Sequence, residues 1–267
     1  MSGDWDDAVG SARLLYYLND TKSWNAFAGV SQGFRAPNLS DLTRLDTART
    51  DEIETPSPDL DPEHFVSYEI GLKAGTPDLV AQLAYFYTEI DGMIVRTPTG
   101  RGIDGDYEVT KKNAGDGYIQ GVELDARYHF WWNLTAFGVF TWMEGKVDTY
   151  PTSDADLATE YIDRLMPPTG RLGLRWDHGG KYWVEGACTM AAKADRLSTR
   201  DEADTSRIPP GGTPGYTVYD IRAGWNCSED LALSIAVENV TDEDYRIHGS
   251  GVNEPGRNLV FAMQSTF

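Results

Sequence analysis

The sequence predicts an all-β chain that folds as the antiparallel portion of a transmembrane β-barrel. About eleven strands are expected, with short turns at one rim and long loops at the other. Three observations predict this. Apolar and polar residues alternate with the period of a strand through much of the chain. The connections between those stretches alternate between short and long, which makes neighbours antiparallel and gathers the long loops at one end. Aromatic residues (Trp24, Tyr85, Tyr87, Trp131, Trp132, Trp142, Trp176, Trp183 and Trp225) fall near strand ends, as in the girdles where a barrel meets the bilayer interface.

Strands are predicted over residues 11–18, 23–34, 64–75, 79–95, 116–130, 133–146, 168–177, 181–194, 215–226, 231–240 and 256–267. In the third, Val66, Tyr68, Ile70 and Leu72 oppose Ser67, Glu69, Gly71 and Lys73. The fifth is the cleanest: Val122, Leu124, Ala126, Tyr128 and Phe130 oppose Glu123, Asp125, Arg127 and His129. The seventh sets Leu172, Leu174 and Trp176 against Arg171, Arg175 and Asp177. The eighth carries Cys188 on an apolar face with Tyr182, Val184, Gly186, Met190 and Ala192. The ninth sets Tyr219, Ile221, Ala223 and Trp225 against Asp220, Arg222 and Gly224, and the tenth sets Leu231, Leu233, Ile235 and Val237 against Ser234 and Glu238.

Short connections carry turn residues at Asn19-Asp20, Gly75–Asp78, His178–Gly180 and Ser228–Asp230, and an aromatic one lies at Trp131–Asn133. The long ones, 35–63, 96–115, 147–167, 195–214 and 241–255, are acidic and rich in Pro or Gly. Arg35-Ala36-Pro37 closes the second strand, because Pro37 removes a ladder donor and restrains Ala36. Asn239, Asp242 and Asp244 are turn formers where the tenth strand leaves the sheet. Gly121 lies on the polar face and leaves room there for the approach of another backbone.

Composition narrows the function. Lys and Arg total 23 and Asp and Glu 42 in 267 residues, a formal charge of −19 that excludes coating of nucleic acid. Apolar residues at 40% exclude a disordered acidic tail. Cys188 and Cys227 are too few for a disulfide scaffold and are not expected to pair. The apolar run Phe130–Met143 is too short and too interrupted for a transmembrane helix, and Met1–Asp7 has no apolar core of a signal peptide.

The four histidines (64, 129, 178 and 248) show no metal spacing, and no serine sits in a nucleophile elbow. No catalytic residue, cofactor or metal site is expected. Asp104, Asp106 and Glu108 could offer oxygen ligands to calcium, but a polar hairpin loop is the favoured reading. The carboxylates at 46, 51, 52, 54, 59, 61 and 63 read as a solvated run that would attract cations.

Four segments, in order, resemble the C-terminal barrel half of TonB-dependent outer-membrane receptors. They are Phe34-Arg35-Ala36-Pro37 with Asn38–Leu42; Pro58–Glu63 followed by Tyr68–Lys73; Asn113-Ala114-Gly115 running into Gly121–Glu123; and Glu238–Tyr245 with Gly249–Gly251 and Pro255–Arg257. The final strand places Leu259, Phe261 and Met263 on one face and ends at Phe267. It is similar to the signal read by the barrel-assembly machinery.

The resemblance implies a Gram-negative outer-membrane location and energised uptake of a siderophore, cobalamin or similar large solute. It implies a plug inside the barrel, coupling to TonB through that plug, and no covalent chemistry. The approach at Gly121 would be the plug's. Glu69, Lys73, Glu123, Asp125, Arg127, Arg171, Arg175, Asp220 and Arg222 would face the lumen, either touching the plug or solvating a wide channel. Haem is disfavoured, since no histidine lies between Phe34 and Leu60.

A complete barrel of this family has roughly 22 strands, so residues 1–267 are expected to be a half-barrel without plug or signal peptide, from a fragment, a split frame or a part needing a partner. A soluble acidic β-sandwich binding module and, less favoured, an outer-membrane barrel enzyme stay open as alternatives.

Overall fold

A computed structural model describes residues 5–49 and 51–266 of the chain. The strands are β1 (Ser11–Tyr17), β2 (Trp24–Arg35), β3 (Asp46–Arg49), β4 (Glu52–Glu54), β5 (Glu63–Gly75), β6 (Leu79–Ile103) and β7 (Asp106–Phe130). They continue with β8 (Leu134–Thr149), β9 (Ala158–Tyr161), β10 (Thr169–His178), β11 (Tyr182–Ala191), β12 (Tyr216–Asn226), β13 (Leu231–Glu238) and β14 (Asn258–Ser265). Two five-residue helices, α1 (Leu39–Thr43) and α2 (Thr199–Ala203), lie in long loops. No described helix is long and apolar enough to cross a membrane.

One sheet contains every strand. Its continuous ladder runs β1-β2-β5-β6-β7-β8-β10-β11-β12-β13-β14. Those eleven strands are the eleven expected, and each pairs antiparallel with its neighbours. Three short strands were not foreseen: β3 pairs with β4, β4 lies parallel to β7, and β9 pairs with β8. β1 and β14 are the two edges, so the sheet is open, in the manner of a half-barrel. A second sheet packed face to face, which a sandwich requires, is not part of this ladder.

The region 96–115, read as a loop, is strand. β6 and β7 are 25 residues each, far beyond the roughly 9–11 that cross a bilayer, so their hairpin projects past it. Asp104 and Gly105, with φ of 55° and 102°, form the turn at its tip. Pro98, Gly100 and Gly102 and three register shifts hide this extension from a period-two count.

At the opposite rim the connections are tight. Leu18 N–H donates to Trp24 O at 2.8 Å, Asn133 has φ of 60°, and Gly179 and Gly180 have φ of 58° and 68°. Aromatic rings stack along this rim, with Trp131 on Trp132 (5.5 Å between centroids) and Tyr182 on Trp225 (6.1 Å).

Burial is confined largely to the long-loop end. Leu42, Leu60 and Ile94 form the apolar cluster there, with Trp5 packed against it. The apolar sheet face is bare instead: Ile70 is 60% exposed, Leu172 55% and Phe261 69%. In water such a surface would be an aggregation liability; in lipid it needs no cover.

Candidate functional site

The nine residues expected on the polar face do share one face. Glu69 lies opposite Phe86, which lies opposite Gly121; Glu123 lies opposite Thr141; Asp125 and Arg171 both lie opposite Val139; Glu185 lies opposite both Arg175 and Arg222. Eight of the side chains fall into two groups, and Glu69 lies apart, beside Arg13, Ser67 and Thr88. Lys73 stands over the Phe27 ring at 4.7 Å and lines a shallow depression with Gln82, Glu123 and Asp125.

Arg127, Arg171, Arg175 and Arg222 line a second depression with Phe137 and Glu185. There Arg171 donates to Asp220 (3.0 Å) and Thr189 (2.9 Å), Arg222 donates to Glu238 (3.1 Å), and Arg175 stacks on Trp183 at 4.1 Å. The Arg175 and Glu185 charges are 3.8 Å apart. The Arg175–Glu185 and Arg222–Glu238 pairs are partly exposed, so each stabilises by about 1 kcal/mol or less.

Four aromatic rings on the same face lie across cross-strand glycines: Phe27 on Gly71, Phe86 on Gly121, Phe137 on Gly173 and Trp183 on Gly224. At Gly121 a Cβ would sit 2.7 Å from the Phe86 ring and 2.5 Å from Trp142 O. The neighbour expected over Gly121 was another backbone, by resemblance the plug's. Within the chain, the Phe86 ring takes that place.

The first three family-like segments meet at the long-loop rim, where they bond to one another, while Tyr68–Lys73 and Gly121–Glu123 run on along β5 and β7. Glu63 accepts both Arg35 Nε and Nη2 at 2.6 Å and, through Oε1, Ile94 N–H at 2.8 Å. Asn38 caps α1 and forms a reciprocal capping box with Asp41. Asp41 also accepts Arg35 Nη1 at 3.0 Å and Lys111 Nζ at 2.8 Å. Burial pushes the Asp41 carboxyl up, but Lys111, the Asn38 N–H and Arg35 outweigh it and hold it below the usual carboxylate range. Asn113 accepts Asp61 N–H (2.9 Å) and donates to Asp61 O and Gly92 O (both 2.8 Å), tying the loop base to the β6–β7 hairpin.

Glu108 is engaged by Thr99 (2.8 Å) and Arg101 (2.8 Å), which favours the hairpin reading of this segment over a calcium site. No group of three or more His, Cys, Asp or Glu side chains among the described residues is placed to share a metal ion. Cys188 and Cys227 are free thiols.

A second knot joins the loops at 150–168, 192–215 and 239–257. Arg164, with φ of 61°, gives its N–H to Asp201 (2.9 Å) and pairs with Asp201 (3.3 Å) and Asp204. Ser198 caps α2 and donates to Asp163 at 2.6 Å. His248 Nδ1 meets Thr213 Oγ1 at 2.9 Å.

The fourth segment closes the last loop: Asn239, with φ of 50°, donates to Glu243 O (2.8 Å) and Pro255 O (3.3 Å), and Asp242 accepts Arg257 N–H (2.7 Å). Beyond it Leu259, Phe261 and Met263 lie exposed on one face of β14, while Phe267 lies outside the described residues.

Sequence reading located these segments but not the clamps they form. Arg35 and Glu63 are 28 residues apart, and only the β2–β5 register brings them opposite. The available signal was that an Arg and a Glu each end a strand at either side of one long loop.

The family model described as "TonB dependent receptor-like, beta-barrel" matches residues 2–240. The pesticin receptor of Yersinia enterocolitica is 25% identical over 254 residues, covering 91% of this chain and 32% of that protein. The vitamin B12 transporter BtuB of Photobacterium profundum is 26% identical over 249 residues, covering 91% and 36%. The copper transporter OprC superposes with a TM-score of 0.74 at 19% identity, covering 97% of this chain and 40% of that one. The chain therefore spans about a third of the length of the curated relatives it matches. These relatives are receptors and transporters, and none is named as an enzyme.

Proposed function

Because the chain belongs to the family of TonB-dependent receptor-like β-barrels, we propose that it forms about half the wall of a receptor for energised uptake of a siderophore, cobalamin or similar large solute. Its place is the outer membrane of a Gram-negative cell. The observation that carries the reading is the division of one open sheet into an exposed apolar face, a charged opposite face, a tight-turn rim and a rim of clamped long loops.

In this reading the apolar face meets lipid, and β1 and β14 pair with the remaining strands, because lipid cannot satisfy an open edge. Glu69, Lys73, Glu123, Asp125, Arg127, Arg171, Arg175, Asp220 and Arg222 face the lumen, where a plug docks and TonB pulls through it. Leu259, Phe261 and Met263 present the strand read by the barrel-assembly machinery. The wall catalyses nothing: it orients the plug and loops, and the energy comes from outside the chain.

The test is accumulation of radiolabelled ferric siderophores and cobalamin by cells whose receptor carries this chain, with and without a protonophore. Uptake of one of them that collapses with the proton gradient is expected. Protonophore-insensitive uptake, or none for either solute class, overturns the proposal.

A further inference from the structure

His248 is the one histidine of the chain placed at the knot of three loops, and it is buried there, at 7% exposure. Its Nδ1 meets Thr213, which is itself buried and fixed by paired backbone hydrogen bonds with Ala194 (2.9 and 3.1 Å). Its Nε2 is buried without a partner. The charged groups that act on the ring are Asp201 on α2 and Arg164 on the 150–168 loop. Asp201 is fully buried, and its Oδ2 already accepts the Arg164 N–H. Arg164 also donates to the carbonyl of Gly249, the residue after His248 (3.4 Å). Gly249, with φ of 78°, leaves no room there for a Cβ, which would sit 2.9 Å from Arg164 Nη1.

We propose that this knot is an acid-sensitive clasp: neutral His248 holds the loops at 150–168, 192–215 and 239–257 together, and its protonation releases the 239–257 loop. A proton on the almost wholly buried ring places a second cation beside Arg164, while the nearby Asp201 carboxylate is already paired with Arg164. Opening the loop hydrates the imidazolium and removes that conflict.

Geometry and titration agree in sign. Burial lowers the affinity of His248 for a proton below its usual value of 6.5, with Arg164 acting the same way and Asp201 opposing. A group with a lowered folded pKa stabilises the closed form fully above the free value, and that contribution fades as pH falls below it. The closed form is therefore complete above about pH 7 and is lost on acidification. The opening equilibrium rises by up to about tenfold per pH unit between the free and the closed pKa.

The experiment is hydrogen exchange of the full-length receptor in bilayer nanodiscs between pH 7.5 and 5.0, normalised for intrinsic rates. The histidine-free segment 96–112 is the internal reference. Residues 241–255 are expected to lose protection relative to that segment as pH falls below 6.5, by up to about tenfold per pH unit, and His248→Asn, which keeps a polar partner for Thr213 but takes no proton, is expected to lose none. A flat wild-type response overturns the clasp, and so does an equal response in wild type and His248→Asn. Neither outcome depends on transport, so failure of the uptake reading and failure of the clasp are separable.

Discussion

Replacing Glu63 with alanine should free the loop at 36–62 from the barrel wall. The Glu63 carboxylate is almost wholly buried and makes three hydrogen bonds, two with Arg35 and one with the Ile94 N–H. Ile94 is 9% exposed, so its N–H loses its partner without gaining water, at a cost of about 1–3 kcal/mol. Arg35 keeps Asp41 and is 42% exposed on its side chain, so solvent screens much of the lost ion pair, leaving about 1 kcal/mol. The total of about 3 kcal/mol corresponds to roughly a hundredfold rise in local opening. Glu63→Gln retains an acceptor for Ile94 and should cost only about 1 kcal/mol, roughly five- to tenfold. Amide exchange of residues 39–43 and 94, in the receptor embedded in nanodiscs, reads both. Unchanged exchange in the alanine variant, or equal effects of the two substitutions, would refute the reasoning that Glu63 clamps this loop.

Asp41 should make the same loop acid-labile in its own range: its carboxyl titrates below the usual 3.8 in the folded protein, so its contribution is complete above that value and drains away as pH falls beneath it. Lys111→Met should move that loss to higher pH in an exchange–pH profile of α1. Gly173→Val sets side-chain atoms inside the ring of Phe137 and should destabilise by about 1–3 kcal/mol; urea-driven unfolding from lipid vesicles measures it, and wild-type stability would dismiss the ring contact. Leu174→Arg on the bare apolar face should cost about 2–4 kcal/mol near the bilayer midplane, whereas Val139→Lys, opposite Asp125 and Arg171 on the charged face, should be tolerated. Equal insertion yields for the two would contradict the assignment of faces. Asn113→Ala should expose Asp61 N–H to exchange by about tenfold or more, since a three-bond tie disappears.

The eleven-strand ladder was legible because alternation marks every strand with one lipid-like face, as in Val122–Phe130 and Tyr219–Trp225. The short strands β3, β4 and β9 were not. Each is three or four residues long, too short for a period to show; β4 and β9 form where the longer β7 and β8 offer an edge, and β3 forms on β4. The β6–β7 extension escaped because bulges break its alternation. Which residues share the charged face followed from parity alone. The clamps did not, because Arg35 meets Glu63, and Asn113 meets Asp61, through pairings no local pattern encodes. His248 carried no sequence signal beyond its type.

The rings that lie on glycines occupy particular seams. They sit at β2/β5, β6/β7, β8/β10 and β11/β12; three of these pairs are joined through long loops, and in β6/β7 three register shifts separate the seam from the turn at Asp104 and Gly105. Where a tight turn joins two strands, the turn dictates how they align; where a long excursion joins them, it dictates nothing. A slip of one residue would swing the glycine to the opposite side and drive its ring into a side chain, so each ring acts as a key that admits a single alignment. The remaining long seam, β13/β14, is held instead by Asn239, Asp242 and Arg257 at its mouth. The four ring-keyed seams thus align independently of what the connections between their strands contain, and those connections are free to lengthen, shorten or be exchanged while the strands beneath them keep their pairing.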